Sequence, residues 1–267
     1  MEISLTRSTS QIFSVLVTKF LSSLVIRSLS LKEYLDTNDG LEFCFWTTAI
    51  IQDRFPSSLV PARLELVLIW PSPQPHNYVK ALTCAFDAIS LPFLTQLQIS
   101  TFNSIDSQTW VKTFGKLPLL ERVLCVQSYS THSFFEALVY KTEAADRSKT
   151  AYRSVSFPKL RYIHMESITF DRTTRESISV DMLLDYLMER CERNAGVQVL
   201  RLKDCYYILS DDVERLKEIV VDVIWDGVEQ EVSTYHDSEE YGDYDDDGNT
   251  VDDLDYDMYD DLSVASY

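Results

Sequence analysis

One nine-residue frame constrains this chain more than any other feature. It reads apolar-Pro-x-apolar-x-x-apolar-x-apolar and occurs three times: Leu91-Pro92-Phe93-Leu94-x-x-Leu97-x-Ile99, Leu117-Pro118-Leu119-Leu120-x-x-Val123-x-Cys125 and Phe157-Pro158-Lys159-Leu160-x-x-Ile163-x-Met165. A fourth copy lacks the proline, Val197-x-x-Leu200-x-Leu202-x-x-Cys205. Two weaker copies are expected upstream, Ile26-x-x-Leu29-x-Leu31 and one near Leu64, Leu66 and Leu68. Internal repetition of this length points to stacked units. The closing L-x-L has the strand period of two, so both apolar side chains face one way. The proline ahead of it cannot continue a helix and predicts an extended lead-in to the strand.

The segments between frames have helical spacing. Trp110, Val111 and Phe114 mark a helix over 107–114, and Phe134, Leu138 and Val139 one over 133–140. Residues 179–193 carry Val180, Leu183, Leu184, Leu187, Met188 and Cys191 on one side. Asp181 falls in its first turn and Arg190 and Arg193 in its last, each suited to the helix dipole, and Gly196 is the expected stop. Strand, turn, helix, turn, strand is the expected order from about residue 24 to 225, with an apolar strand at 220–225 closing the array.

Neither the strand seam nor the helix stripe of such a unit can be buried alone. Neighbouring units must stack, which predicts an α/β solenoid with parallel strands on one side and helices on the other. A doubly wound sheet is the alternative for alternating strands and helices, and an α/β enzyme on that sheet is the alternative function.

The formal charge of −18 is unevenly distributed. Residues 229–267 hold 15 Asp or Glu and no Lys or Arg, so residues 1–228 carry −18 less −15, or −3. Three regions follow: a helical lead-in over 1–23 (a single helix near 9–21), the repeat domain over 24–228, and a disordered acidic tail over 229–267. Charge of this sign argues against nucleic-acid and anionic-membrane partners. The tail is itself a candidate docking strip for basic proteins. Its Asp243-x-Asp245-x-Asp247-Gly248 matches half of a calcium loop, but position 12 is Leu254, and a solvated acidic run is expected instead. The apolar stretch 12–31 is broken by Lys19 and Arg27 and is a poor membrane span. Five scattered cysteines without a C-x-x-C pair suggest reduced thiols in a cytoplasmic or nuclear protein, with neither a zinc site nor a redox motif.

Catalytic signatures are missing from the sequence. The glycines of the body stand alone, which excludes phosphate-binding and nucleophile-elbow turns. His76, His132, His164 and His236 are isolated, and Asp211-Asp212 suits a helix start. No catalytic residue, cofactor or metal is expected, and the chain is read as a non-enzyme.

The run Leu200-x-Leu202-Lys203-Asp204-Cys205-x-x-Ile208-x-x-Asp211-x-Val213-x-x-Leu216-x-x-Ile219-Val220 resembles the cysteine-containing leucine-rich repeat of F-box/leucine-rich-repeat proteins. Val223-Ile224-Trp225-Asp226-Gly227 resembles the ends of large fungal F-box-like families. The resemblance implies an irregular leucine-rich-repeat-like solenoid that captures a protein substrate for a ubiquitin ligase. It implies a Skp-type adaptor as partner only where an F-box of roughly 40 residues lies upstream of the repeats. If the leucines of each frame point inward, the residues between them face an open concave sheet. This nominates Gln96, Gln98, Arg122, Tyr162, His164, Arg201 and Lys203 as the protein-binding set, with Arg122, Tyr162 and Arg201 as anchors.

Overall fold

The prolines of the frame build turns, not extended segments. In the computed structural model, Leu94 N–H donates to Leu91 O at 3.1 Å and Leu160 N–H to Phe157 O at 3.1 Å. Pro92, Pro118 and Pro158 each open a two-residue turn just before a strand. Their fixed φ suits the second position of a turn, which corrects the expected extended lead-in. The structure describes residues 2–4, 24–34, 39–48, 62, 64–70, 82–83, 85–86, 89–100, 105–127, 131–140, 155–170 and 177–229. The chain divides into two units at Val232/Ser233. The second unit, with the half calcium loop and nearly all of the acidic tail, lies outside the described residues, as does the helix expected near 9–21.

Among the described residues nine strands form one sheet: β1 (Glu2–Ser4), β2 (Ser28–Tyr34), β3 (Asp39–Trp46), β4 (Leu64–Trp70), β5 (Gln96–Ser100), β6 (Arg122–Val126), β7 (Tyr162–Glu166), β8 (Val199–Lys203) and β9 (Asp222–Trp225). Their order is β1-β4-β3-β2-β5-β6-β7-β8-β9. Helices α1 (Ser107–Thr113), α2 (Thr131–Val139), α3 (Val180–Glu192) and α4 (Ser210–Lys217) join β5 to β9 in turn. The four frames thus become β5, β6, β7 and β8, adjacent and parallel. Leu97, Val123, Ile163 and Leu200 share one register line, and Ile99, Cys125, Met165 and Leu202 the next. The weak upstream copy falls into the same lines, with Leu29 beside Leu97 and Leu31 beside Ile99 on β2.

The copy near Leu64 joins these lines across an intervening strand, with Leu64 beside Phe45 and Leu66 beside Phe43, which in turn pair with Leu29 and Leu31 of β2. β2, β3 and β4 form an antiparallel meander, so strand-helix alternation begins only at β5. Chain length decides the first pair, β2 with β3. Four residues separate Tyr34 from Asp39, whereas a parallel return needs a dozen or more. Residues 2–4, expected in a helical lead-in, form β1 parallel to β4.

Backbone hydrogen bonds repeat with the units. Thr95 and Gln96 N–H both donate to Arg27 O, Glu121 and Arg122 to Thr95 O, Arg161 and Tyr162 to Glu121 O, and Gln198 and Val199 to Arg161 O. After β6, β7 and β8 the next residue (Gln127, Ser167, Asp204) turns left-handed at φ 47°, 54° and 50°. Gln127 N–H then donates to Glu166 O and Ser167 N–H to Lys203 O, both at 3.0 Å. Asp204 lies beside the end of β9, where its N–H is taken at 2.6 Å by the Asp226 side-chain carboxylate in place of a backbone carbonyl.

Both register lines belong to one buried cluster with Trp110, Phe114, Phe134, Phe135, Leu138, Leu183, Leu187, Val213 and Leu216 of the helical layer. α1 packs on α2, α2 on α3 and α3 on α4, following the strand order. Each buried Leu or Phe contributes about 1.5–3 kcal/mol. Along β5 to β9 the strand order does not reverse, and α1–α4 share one side. Asp106 caps α1, accepting from Thr109 N–H at 2.6 Å, and Ser179 caps α3, accepting from Met182 N–H at 3.2 Å. The Asp212 carboxylate accepts from Leu209 N–H at 3.3 Å at the start of α4. The left-handed residue that ends α3 is Asn194 (φ 57°), not Gly196. Gly196 instead allows a close approach, since a Cβ there would lie 2.8 Å from the Cys191 sulfur.

Arg190, in the last turn of α3 as its position suggests, is wholly buried. Its guanidinium donates to Ala195 O (3.1 Å), Leu138 O (3.1 Å), Ser156 O (2.9 Å) and Phe157 O (3.0 Å). Arg193 donates to Val139 O at 3.1 Å. Both cations therefore satisfy the last carbonyls of the neighbouring helix α2, where its dipole is negative. Burial pulls the Arg190 guanidinium down to about 10, still charged at neutral pH.

Arg190→Met removes the guanidinium's hydrogen bonds to four carbonyls, of which Phe157 O keeps Leu160 N–H as donor, and is expected to lower unfolding free energy by about 3 kcal/mol or more. An unchanged urea midpoint would show that Arg190 does not bind the layers together. A second expectation concerns the thiols. Burial pushes Cys125 up from 9.0 to about 12 and Cys205 up from 9.0 to about 11. Above pH 9 the unfolded chain releases these protons before the folded one, so stability falls as pH rises from about 9 to 11. Urea melts across that range should show the fall, and Cys125→Ala should flatten it.

Candidate protein-interaction face

The sheet face turned away from the helices is built from the residues between the buried ones. Three lines cross it in register. The first carries Ser28, Gln96, Arg122, Tyr162, Val199 and Asp222. The second carries Ser30, Gln98, Leu124, His164, Arg201 and Ile224. The third carries Lys32, Ser100, Val126, Glu166 and Lys203. All seven nominated residues lie on this face: Gln96, Arg122 and Tyr162 in the first line, Gln98, His164 and Arg201 in the second, Lys203 in the third.

The face is less open than expected. Gln96 and His164 are buried at 6% and 5% exposure, whereas Gln98, Arg122, Tyr162, Arg201 and Lys203 are half-buried. Strands about 4.8 Å apart hold short side chains between long ones. Gln96 sits between Ser28, whose hydroxyl donates to its Oε1 at 3.2 Å, and Arg122. His164 sits between Leu124 and Arg201, with Glu166 Oε2 3.9 Å from its Nε2. They are packing residues of the face and not its contact surface.

What remains accessible is an arginine held on an aromatic ring beside an ionic cluster. The Arg122 guanidinium lies 5.0 Å from the Tyr162 ring centroid. Lys203 pairs with Glu166 and, at 3.6 Å, with Asp204. The hydrogen bond with Glu166 raises the Lys203 ammonium above its ordinary range. Leu124 and Glu166 belong to this face although they were not nominated. Leu124 looks like a core residue in a Val-Leu-Cys run, and only counting alternate positions from Arg122 places it outside.

On the antiparallel part of the same sheet, Glu42, Cys44 and Glu65 bring three donor atoms within 4.8 Å of one another. The Cys44 thiol donates to Glu42 Oε1 at 3.2 Å. Burial, then the Glu42 hydrogen bond and the charges of Glu42 and Glu65, push it well above the ordinary thiol range. A neutral thiol hydrogen-bonded to a carboxylate is a poor metal ligand, since metal binding needs the thiolate.

The molecule is thus a mixed α/β protein with a largely parallel sheet, helices along one side of its parallel part and a polar face on the other. No family model, curated protein or solved structure matches the chain. No helix among the described residues is long and apolar enough to cross a membrane.

Removal of the Glu166 charge tests whether the ionic cluster serves stability. Both partners are partly exposed, so Glu166→Gln is expected to change unfolding free energy by less than about 1 kcal/mol in urea titrations. A larger loss would make the cluster a structural support of β7 and β8.

Proposed function

We propose that this chain is a protein–protein interaction domain of leucine-rich-repeat type that binds its partner on the outer face of β5–β8. The observation that carries the reading is the alignment of polar, aromatic and cationic side chains on a face that no described helix covers. The irregular solenoid reading draws support from the repeating carbonyl relay, the left-handed residue after β6, β7 and β8, and the sequential stacking of α1–α4. The cysteine-containing repeat has a physical counterpart in Cys205, whose buried thiol donates to Met165 O of the preceding unit at 3.6 Å. A role in substrate recognition for an F-box-type ubiquitin ligase, in the cytoplasm or nucleus, extends this reading. Skp-type adaptor binding belongs to it only through an F-box module. Recognition would proceed through shape and polar complementarity without covalent chemistry.

Anchors on such faces are few, and Tyr and Arg are enriched among them. In pull-downs from cells followed by cross-linking, Arg122→Ala, Tyr162→Ala and Arg201→Ala together are expected to abolish specific capture by the full chain. Alanine at the exposed Glu136 and Asp185 of the helical side should leave capture intact. The proposal fails if the triple variant, folded by circular dichroism, captures the same partners as the parent.

A further inference from the structure

We infer that the segment captured by this face is acidic and extended, with a carboxylate seated on the Arg122 guanidinium. The inference rests on the interaction-domain reading above and deepens it by naming the partner's chemistry. Arg122 is half-buried, and its cation lies over the Tyr162 ring at 5.0 Å. No carboxylate among the described residues pairs with it. A guanidinium held against an aromatic ring keeps its in-plane N–H donors directed outward, and two of them match the oxygens of one carboxylate. Stacking also fixes the group before the partner arrives, which reduces the ordering cost of binding.

The charges around it on this face are distant. Besides Arg122, Arg201 and Lys203, the face presents Glu166, which Lys203 engages, and Asp222 at the β9 end of the first line. Strand spacing puts both carboxylates about 14 Å from Arg122 between Cα atoms, so Arg122 is a local cationic point in a chain whose formal charge is −18. That total does not govern recognition here, because charges beyond about 8 Å are screened at physiological ionic strength. Arg122 and Arg201 are two strands and two residues apart, which places their Cα atoms about 12 Å from each other. An extended segment covers that distance in about four residues. Tyr162 and His164 of β7 lie between the two arginines, with Leu124 and Val199 flanking them on β6 and β8. The preferred ligand therefore carries a carboxylate for Arg122 and runs extended over Tyr162, with an apolar residue in reach of Leu124 or Val199.

Fluorescence anisotropy on the full chain tests this with labelled dodecapeptides of three Glu-Leu-Ser-Glu repeats and a counterpart with Gln for Glu. The Glu peptide is expected to bind, and the Gln peptide to bind at least about tenfold more weakly. Arg122→Gln should reduce the Glu peptide to the level of the Gln peptide. Arg122→Lys, which keeps the charge and loses the planar fork, should fall between. Equal binding of the two peptides, no binding of the Glu peptide at about 1 mM, or indifference to Arg122→Gln in a folded variant would overturn the inference. The triple alanine variant separates the two claims. If it loses its cross-linked partner while the Glu peptide does not bind, the face recognises another chemistry and only the acidic segment is refuted. If it keeps its partner, the interaction-domain reading falls as well.

Discussion

Burial of two apolar lines, two positions apart in every strand from β2 to β8, is the constraint from which the structure follows. Leu97, Val123, Ile163 and Leu200 form one line, and Ile99, Cys125, Met165 and Leu202 the other. A strand with a single L-x-L has too little apolar area to stand alone, so each unit depends on its neighbours and on the helix laid across it. The same alternation turns the intervening residues to the opposite face. The polar face and the core are thus two consequences of one periodicity.

Polar groups fix how the layers register. Each helix end leaves carbonyls unpaired, and in a stacked array these fall where the next helix packs. Arg190 and Arg193 of α3 reach across to close the end of α2, which ties consecutive units through charge-assisted hydrogen bonds. After β8 the Asp226 carboxylate, at the end of β9, takes the N–H that a backbone carbonyl of the next strand takes after β6 and β7. A buried cation with carbonyl partners is a more specific device than apolar contact, because few other alignments satisfy five N–H donors.

Much of the parallel half is legible in the sequence, because the frame fixes both strand position and the inward set. The helices at 107, 133 and 179 are legible from spacing, and each is found within two residues of its expected start. The antiparallel half is not legible from the frame. Leu41, Phe43 and Phe45 alternate with Glu42, Cys44 and Trp46, and Asn38-Asp39-Gly40 is a turn signal, but a search for repeats passes over both. The proline rule misleads because φ near −65° serves a turn as well as an extended segment. For the candidate face, alternation predicts which side a residue takes and not how deeply it sits. Gln96 and His164 are on the expected side and buried, since exposure depends on the neighbouring strands' side chains. Arg190 eludes the sequence for a related reason, because a basic residue in a last helical turn usually faces water.

Distances between spin labels across the outer face test the account most directly. With one label at Ser30 and the second at His164, Arg201 or Ile224, the strand order predicts separations near 14, 19 and 24 Å, before the reach of the labels is added. Values that rise in that order would support a sheet built by sequential addition of parallel units. A shorter distance to Ile224 than to His164 would contradict it, and the aligned face would go with it.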